Sequence, residues 1–412
     1  MELAYSEKTS IRRNAKPAND VLRARTDGSP RLAKERQTRK SAEEKGVSGS
    51  HRYLKVGHDT LHPNGWQQTR LTATAFVYSV ALFVASLAFG RLCLSILLHP
   101  TRSFWRVKRR RTAPDCLTDP AYGIHGYLPI EGVKIHYVEK GDRSKPLMLF
   151  IHGFPEFWYS WRHQLKEFSK DYWTVAVDMR GYGGSDKPGA VEDYTMSHLV
   201  NDIKEIIEAL GHDKCILVAH DFGGAIAWNF ITQHPEMLHS YVILDAPYSP
   251  SNFRILTSNL FQLFKSWDVF YFQLPYLPEL MFRAYDMVRL KHLFRGSTPK
   301  PLSPITDEDL EAYKYTFAKP GAFTPPINYF RANGFSLSPP KSKLKTDIEV
   351  PGLYIFGEHD DHLVFDHLWA AQNRIKNLKV QMVKGASHYA QQDDPERVNT
   401  LIRDFLKIRQ PK

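Results

Sequence analysis

Three side chains far apart in the chain, Asp221, Asp360 and His388, have the types and surroundings that covalent hydrolysis requires. Asp221 stands in VAHDFGG at 218–224, directly after the apolar run CILVA. A reactive residue displayed on a sharp turn between strand and helix needs small neighbours, because the backbone crowds itself there; Ala219, Gly223 and Gly224 supply them. At the start of a helix a carboxylate is also favoured as an anion by unpaired backbone N–H groups. The plainer reading is that Asp221 caps the helix that follows, a position aspartate favours. His220 reads as a packed or hydrogen-bonding neighbour, not as a base. An aspartate that attacks an electrophilic carbon leaves an ester of the enzyme itself, and breaking that ester takes activated water. His388, in KGASHYAQQDDP, is the candidate base. Asp360, in IFGEHDD, is the candidate to orient its imidazole and stabilise the charged form, with His359 and Asp361 as rivals.

Hydrolysis of such an ester also needs donors for the oxyanion. HGFPE at 152–156 follows the run PLMLFI, and its turn can present the N–H of Phe154, with that of Phe222 beside the nucleophile, to the developing charge. The proline invites a cis Phe154–Pro155 bond. DMRGYGGSDKP at 178–188 reads as architectural through Asp178, Arg180 and its glycines. It lacks the Lys-Ser/Thr step of a phosphate loop. No metal or organic cofactor is expected, since nucleophile, base and oxyanion donors are already present. The three cysteines, Cys93, Cys116 and Cys215, show no metal-ligand spacing and no disulfide framework, and Cys215 within CILVAH reads as a small buried hydrophobe.

These residues must be held by elements that converge on one place. Short runs rich in Val, Ile and Leu recur in IEGVKIHYVEKG, PLMLFIHG, YWTVAVDMRG, DKCILVAHDFGG, HSYVILDAP, PGLYIFGEHD and KVQMVKGASHY. Between them lie stretches such as SHLVNDIKEIIEALG with apolar residues at helical spacing. The first run predicts an antiparallel pair. The rest predict a mostly parallel sheet with helices on both faces, whose ligands lie at the carboxyl ends of the strands. Each candidate residue above follows a candidate strand at that end. The aromatic-rich region 248–340 breaks the rhythm and reads as a helical lid inserted between core segments 120–247 and 341–412, able to exclude water and wall an apolar pocket. A purely structural subdomain is the alternative.

The chain of 412 residues is long enough for a sizeable core plus a tail. Its net charge of +11 sits in the flanks: residues 1–70 carry 15 basic and 8 acidic side chains, and residues 101–111 add six more basic ones without an acid. The remainder is near neutral, which speaks against nucleic acid as a partner. Residues 1–69 read as a disordered basic tail. Its basic runs fit a solvated segment better than a nuclear signal or a lipid contact. Residues 70–98 read as a transmembrane anchor, because the twenty residues from Leu71 to Gly90 are uncharged, about what a helix needs to cross a bilayer. A signal peptide or a buried helix are the rivals, and the late start of the segment disfavours the first. The basic linker 99–119 predicts a single-pass protein with its catalytic part in the cytosol, the endoplasmic reticulum being the expected membrane.

Taken together, HGFPE, DMRGYGGSDKP, AHDFGGAIAW, GEHD, SHYAQQDDP and the lid phrases FYFQLP and INYFRANG resemble the epoxide hydrolase branch of the α/β-hydrolases, specifically its membrane-anchored group, over roughly residues 120–408. The order nucleophile, acid, histidine is also that of α/β-hydrolases. The resemblance implies the α/β-hydrolase fold. It also implies that Asp221 opens an epoxide, that Asp360 and His388 complete a triad, and that two lid tyrosines hydrogen-bond the epoxide oxygen; the anchor and the aromatic lid point to an apolar, lipid-like epoxide. In the lid the chain departs from that pattern. The place before the INYFR arginine is Phe330, and the first tyrosine's place falls on Asp268, so Tyr329 and Tyr271 are the substitutes. Trp158, Trp228 and Phe330 are expected along the substrate pocket. HGFPE and an aspartate nucleophile also occur in haloacid and haloalkane dehalogenases, although Phe222 in place of an indole argues against a halide site. A dehalogenase-like or ester-cleaving enzyme, an impaired hydrolase that binds lipid or protein, and an adaptor with an incidental hydrolase domain are the alternatives. The oligomeric state is open.

Overall fold

The computed structural model describes residues 106–248, 259–296, 305–333 and 348–407, with helical residues between 79 and 98. The expected tail at 1–69 and parts of the expected anchor, linker and lid lie outside the described residues. An eight-stranded sheet organises the rest, in the order β1-β2-β4-β3-β5-β6-β7-β8. Strands β1 (Ile124–Ile130) and β2 (Val133–Lys140) form the expected antiparallel pair. Their connection, Glu131-Gly132, is two residues long and needs the left-handed backbone that Gly132 adopts at φ +74°.

Every later strand is one of the short apolar runs: β3 (Leu147–Ile151), β4 (Trp173–Val177), β5 (Cys215–His220), β6 (Leu238–Leu244), β7 (Gly352–Gly357) and β8 (Leu378–Val383). β4 meets β2 antiparallel, and all pairings from β4 through β8 are parallel. All residues of β3, β4 and β5 are buried, which is why these runs are apolar apart from Thr174 and His220 and do not alternate. Each fully buried Val, Leu, Ile or Phe there contributes roughly 1.5–3 kcal/mol relative to exposure.

The crossovers are helical where the apolar spacing is helical. Helix α1 is Arg162–Phe168, and α2 is Met196–Ala209, which buries Leu199, Val200, Ile203, Ile206 and Ile207 along one face. Helix α3 (Asp221–Gln233) begins at the residue directly after β5. Between β6 and β7 the chain inserts α4 (Leu260–Lys265), α5 (Trp267–Tyr271), α6 (Leu277–Arg295), α7 (Asp307–Phe317) and α8 (Thr324–Asn333). They fall within residues 248–340, the region expected to form a lid. The chain closes with α9 (Asp366–Gln372), α10 (Ala390–Asp393) and α11 (Pro395–Lys407). Among the described residues no helix is long and apolar enough to cross a membrane.

Candidate active site

The loops after β3, β5, β7 and β8 bring the predicted residues together at one end of the sheet. Asp221 takes φ +50°, a left-handed conformation that aspartate tolerates better than most residues and that turns its carboxylate out of the strand. The small neighbours are needed: a Cβ on Gly153 would stand 2.5 Å from Asp221 Cβ and Oδ1, and one on Gly223 would strike the His152 carbonyl. The Phe154 N–H donates to Asp221 Oδ1 at 2.7 Å, from a loop whose Phe154–Pro155 bond is cis. His388 Nε2 lies 3.4 Å from Asp221 Oδ2, an ion-pair contact longer than a good hydrogen bond. On its other side, His388 Nδ1 meets Asp360 Oδ2 at 2.9 Å, and Asp360 Oδ1 accepts the N–H groups of His362 and Leu363 at 2.6 and 2.8 Å. Asp360 is thus the acid that reaches the imidazole.

The electrostatics follow from burial set against pairing. Burial alone would raise Asp221, but the hydrogen bond and charge of His388, the charge of His220 and the Phe154 N–H hold it below the usual carboxylate value. Burial likewise opposes the ionised form of Asp360, yet His388 and the loop N–H groups draw it down to about 2. His388 sits between the two carboxylates. Burial pulls its pKa down, and Asp360 followed by Asp221 overrides this, pushing it well above the ordinary imidazole value.

A second buried layer supports the first: His220 is the hydrogen-bonding neighbour expected from the sequence, whereas its partner Glu156 was not singled out there. Glu156, the last residue of HGFPE, accepts from Gly153 N–H at 2.9 Å, from the Gln391 and Gln392 amides at 2.9 Å each, and pairs with His220 Nδ1 at 2.6 Å. His220 Nε2 faces the His388 carbonyl at 2.7 Å. Both partners of His220 are acceptors, so the ring ties the HGFPE turn to the backbone of His388. The signal available in sequence was the acid at the end of HGFPE together with a histidine beside the nucleophile. Asp178 is architectural, as expected: it accepts from the N–H groups of Trp158 and Gly184 at 2.9 and 2.8 Å and pairs with His136 at 2.7 Å.

The aromatic wall differs in part from the expectation. Phe330 does sit over the site. Its ring packs on Phe154, Phe222 and Phe272 at centroid separations of 5.3, 5.1 and 4.7 Å, and Phe272 and Phe282 join the group. Trp228 instead packs among Tyr241, Tyr248 and Tyr354, because its place on α3 turns it into the core. Trp158 packs on His125, Phe157 and Tyr159. The hydroxyls of the two substitute tyrosines are engaged by backbone. The Tyr271 hydroxyl donates to the Leu277 carbonyl at 3.1 Å and that of Tyr329 to the Arg180 carbonyl at 2.7 Å, so each phenol has spent its single proton on backbone. Asp268 lies 3.6 Å from His362, whose ring meets that of His388 at 4.6 Å. Phe222, the other expected donor, stands next to Asp221, and its ring packs on Tyr329 and Phe330. Among the described residues no cluster of His, Cys, Asp or Glu has the makings of a metal site.

A sheet of this order, with a sharp strand-to-helix turn carrying Asp221 after β5, Asp360 after β7 and His388 after β8, defines an α/β-hydrolase, and the alpha/beta hydrolase fold family matches residues 146–395. Epoxide hydrolase 3 of Xenopus tropicalis is 40% identical over 350 residues, covering 82% of this chain and 94% of that protein. Epoxide hydrolase 4 of Mus musculus is 41% identical over 339 residues, covering 81% and 93%. Among solved structures, the Bacillus megaterium epoxide hydrolase in complex with an inhibitor matches with a TM-score of 0.61 and 32% identity, covering 68% of this chain and all of that one. The chain belongs to the epoxide hydrolase branch of the α/β-hydrolase family.

Proposed function

We propose that this protein hydrolyses apolar, lipid-like epoxides to vicinal diols through an ester of Asp221. The observation that carries the proposal is the Asp221 carboxylate itself, with one oxygen held by the Phe154 N–H and the other facing a histidine backed by Asp360. Oδ2 attacks an epoxide carbon, the carbon–oxygen bond breaks, and the alkoxide takes up a proton. Forming the ester removes the charge of Asp221, one of the two carboxylates that keep His388 protonated. The imidazole then releases a proton, which balances the one the alkoxide needs, and becomes a base at the moment water must be activated. Water attacks Cγ, the charge on Oδ1 stays under the Phe154 N–H, and the diol leaves with the former Asp221 oxygen. A single turnover of excess enzyme in ¹⁸O-water tests this. The label should enter Asp221 and not the diol; label in the diol would replace the ester route with direct attack by water.

The alternatives rank below this. The rings above Asp221 are phenylalanines, which suit an apolar electrophile and offer no indole donors to a halide. An impaired protein that binds lipid or a protein partner is favoured only by the engaged lid phenols, and in the proposed route the proton comes from His388.

We also infer attachment to a bilayer, with the catalytic part on the cytosolic side and the endoplasmic reticulum as the expected membrane. Support comes from the uncharged run before residue 91 and from exposed Leu82, Phe83, Leu87 and Phe89. Buried Leu92 packs with Ala284, Leu277 and Met281 of α6, and the inserted region exposes Phe261, Phe264 and Tyr276. Retention in the membrane pellet after alkaline carbonate, but not release by high salt, is the expected result; release by salt alone would leave only a peripheral contact.

A further inference from the structure

The mechanism leaves one buried carboxyl beside the triad without a task. Asp245 follows the last residue of β6, is fully buried, and holds φ at +40°. Its Oδ1 accepts the Gly357 N–H at 2.7 Å, and the Gly357 carbonyl in turn accepts the N–H of Asp360 at 3.2 Å. One residue, Gly357, therefore links the two acids through its N–H and its C=O. Asp245 Oδ2 is closed off from solvent and meets no donor, while the side chain lies within hydrogen-bonding reach of Asp360. Asp360 has nothing to donate, because both its oxygens already accept from His362, Leu363 and His388. Two carboxylates in contact in a buried site cannot both stay ionised, and a buried oxygen without a partner is costly; one proton between them resolves both problems.

We propose that Asp245 is a positioning residue that carries a proton and donates it in a hydrogen bond to the Asp360 carboxylate, fixing the acid that orients His388. Burial first, and the charge of Asp360 next, push Asp245 well above the usual carboxylate range, against the pull of His388 and the Gly357 N–H. The groups that face the pair are few. His388 comes from the loop after β8, Tyr354 of β7 gives its hydroxyl to the Ala246 carbonyl at 2.7 Å, and His362 and His367 face Asp360 from its own loop and from α9. Neutrality is what makes Asp245 useful. A second negative charge here would tighten the hold on the His388 proton and spoil the base, whereas a neutral acid restrains Asp360 without that cost.

This inference rests on the proposed roles of Asp360 and His388, so its test includes a readout that needs no turnover. Infrared difference spectra of the full chain against Asp245→Asn at neutral pH should show a protonated-carboxyl C=O band in the natural protein that the variant lacks. Failure of the natural protein to hydrolyse any epoxide would count against the proposed function and leave this band to be read on its own. With trans-stilbene oxide as probe, Asp245→Asn is neutral and keeps a donor toward Asp360. It should keep kcat within about threefold and leave the acid limb of the pH profile in place. Asp245→Ala should slow hydrolysis of the ester by about 10- to 100-fold, so that the ester accumulates in the intact mass. Absence of the band would overturn the proposal. So would an acid limb displaced downward by about one unit in Asp245→Asn, the sign of a lost negative charge, or Asp245→Ala turning over like the natural protein. If the alanine variant does not fold, the band and the asparagine variant decide.

Discussion

The sheet end and the lid meet over Asp221, and they hold their polar groups in opposite ways. At the sheet end, Asp221, His388, Asp360, Glu156 and His220 bond to one another or to N–H and C=O groups that point into the site. In the lid, Tyr271 and Tyr329 bond to backbone carbonyls, and Arg331 to the carbonyls of Phe272 and Leu274 and to Glu279. The lid also carries strain. Tyr285, Asp286 and Met287 are three successive left-handed residues inside α6, each costing about 1–2 kcal/mol. Arg110 from the segment before the core bonds to both oxygens of Asp286 at 2.8 Å and to Glu311 at 2.9 Å, pinning that break. The comparison teaches that the chemistry is preorganised in the core, while the lid supplies a wall whose polar side chains hold the wall together.

If that division is right, substitutions in the core should cost far more activity than those of the lid phenols. Asp221→Ala should reduce kcat/KM for an epoxide by at least about 10⁴-fold with the fold intact by circular dichroism. Activity within tenfold would mean another nucleophile. Asp360→Asn comes next, at about 10²–10⁴-fold, because the imidazole loses its orienting acid; steady-state kinetics should place the loss in kcat. Asp178→Asn should act on stability. The His136 partner and N–H donors hold Asp178 to about 2 despite burial, below its unfolded value, so its contribution is present above about pH 4 and is lost as pH falls toward 2. Urea unfolding near pH 7 should show a loss of about 2–3 kcal/mol that shrinks as the pH is lowered through that window. Tyr329→Phe and Tyr271→Phe should be the mildest, lowering kcat by less than about tenfold. A drop of 10²–10⁴-fold would show that the lid turns a phenol toward the epoxide during turnover and would break the comparison.

Most of the sheet end was legible in the sequence because its signals are local. Short apolar runs bounded by Gly, Pro and Asp marked the strands, and glycines around Asp221 marked the turn that displays it. Glu156 escaped because its pairing with His220 joins positions 64 residues apart, and Asp245 because nothing in LDAP says which carboxyl it will meet. The lid was legible only as a lid. Where a phenol points depends on one step of about 100° along a helix and on which carbonyl is free, so Tyr329 and Tyr271 could be named but not aimed. The break at Tyr285–Met287 contains neither proline nor glycine to announce it.

Trapping the intermediate tests the central claim most directly. Full-length His388→Gln protein, incubated with a panel of fatty-acid and terpenoid epoxides, should gain the mass of the epoxide, and the gain should vanish when Asp221 is also changed to alanine. An adduct that survives the loss of Asp221, or a folded His388→Gln protein that gains no mass while the natural protein turns the same epoxides over, would contradict an Asp221 ester resolved by His388.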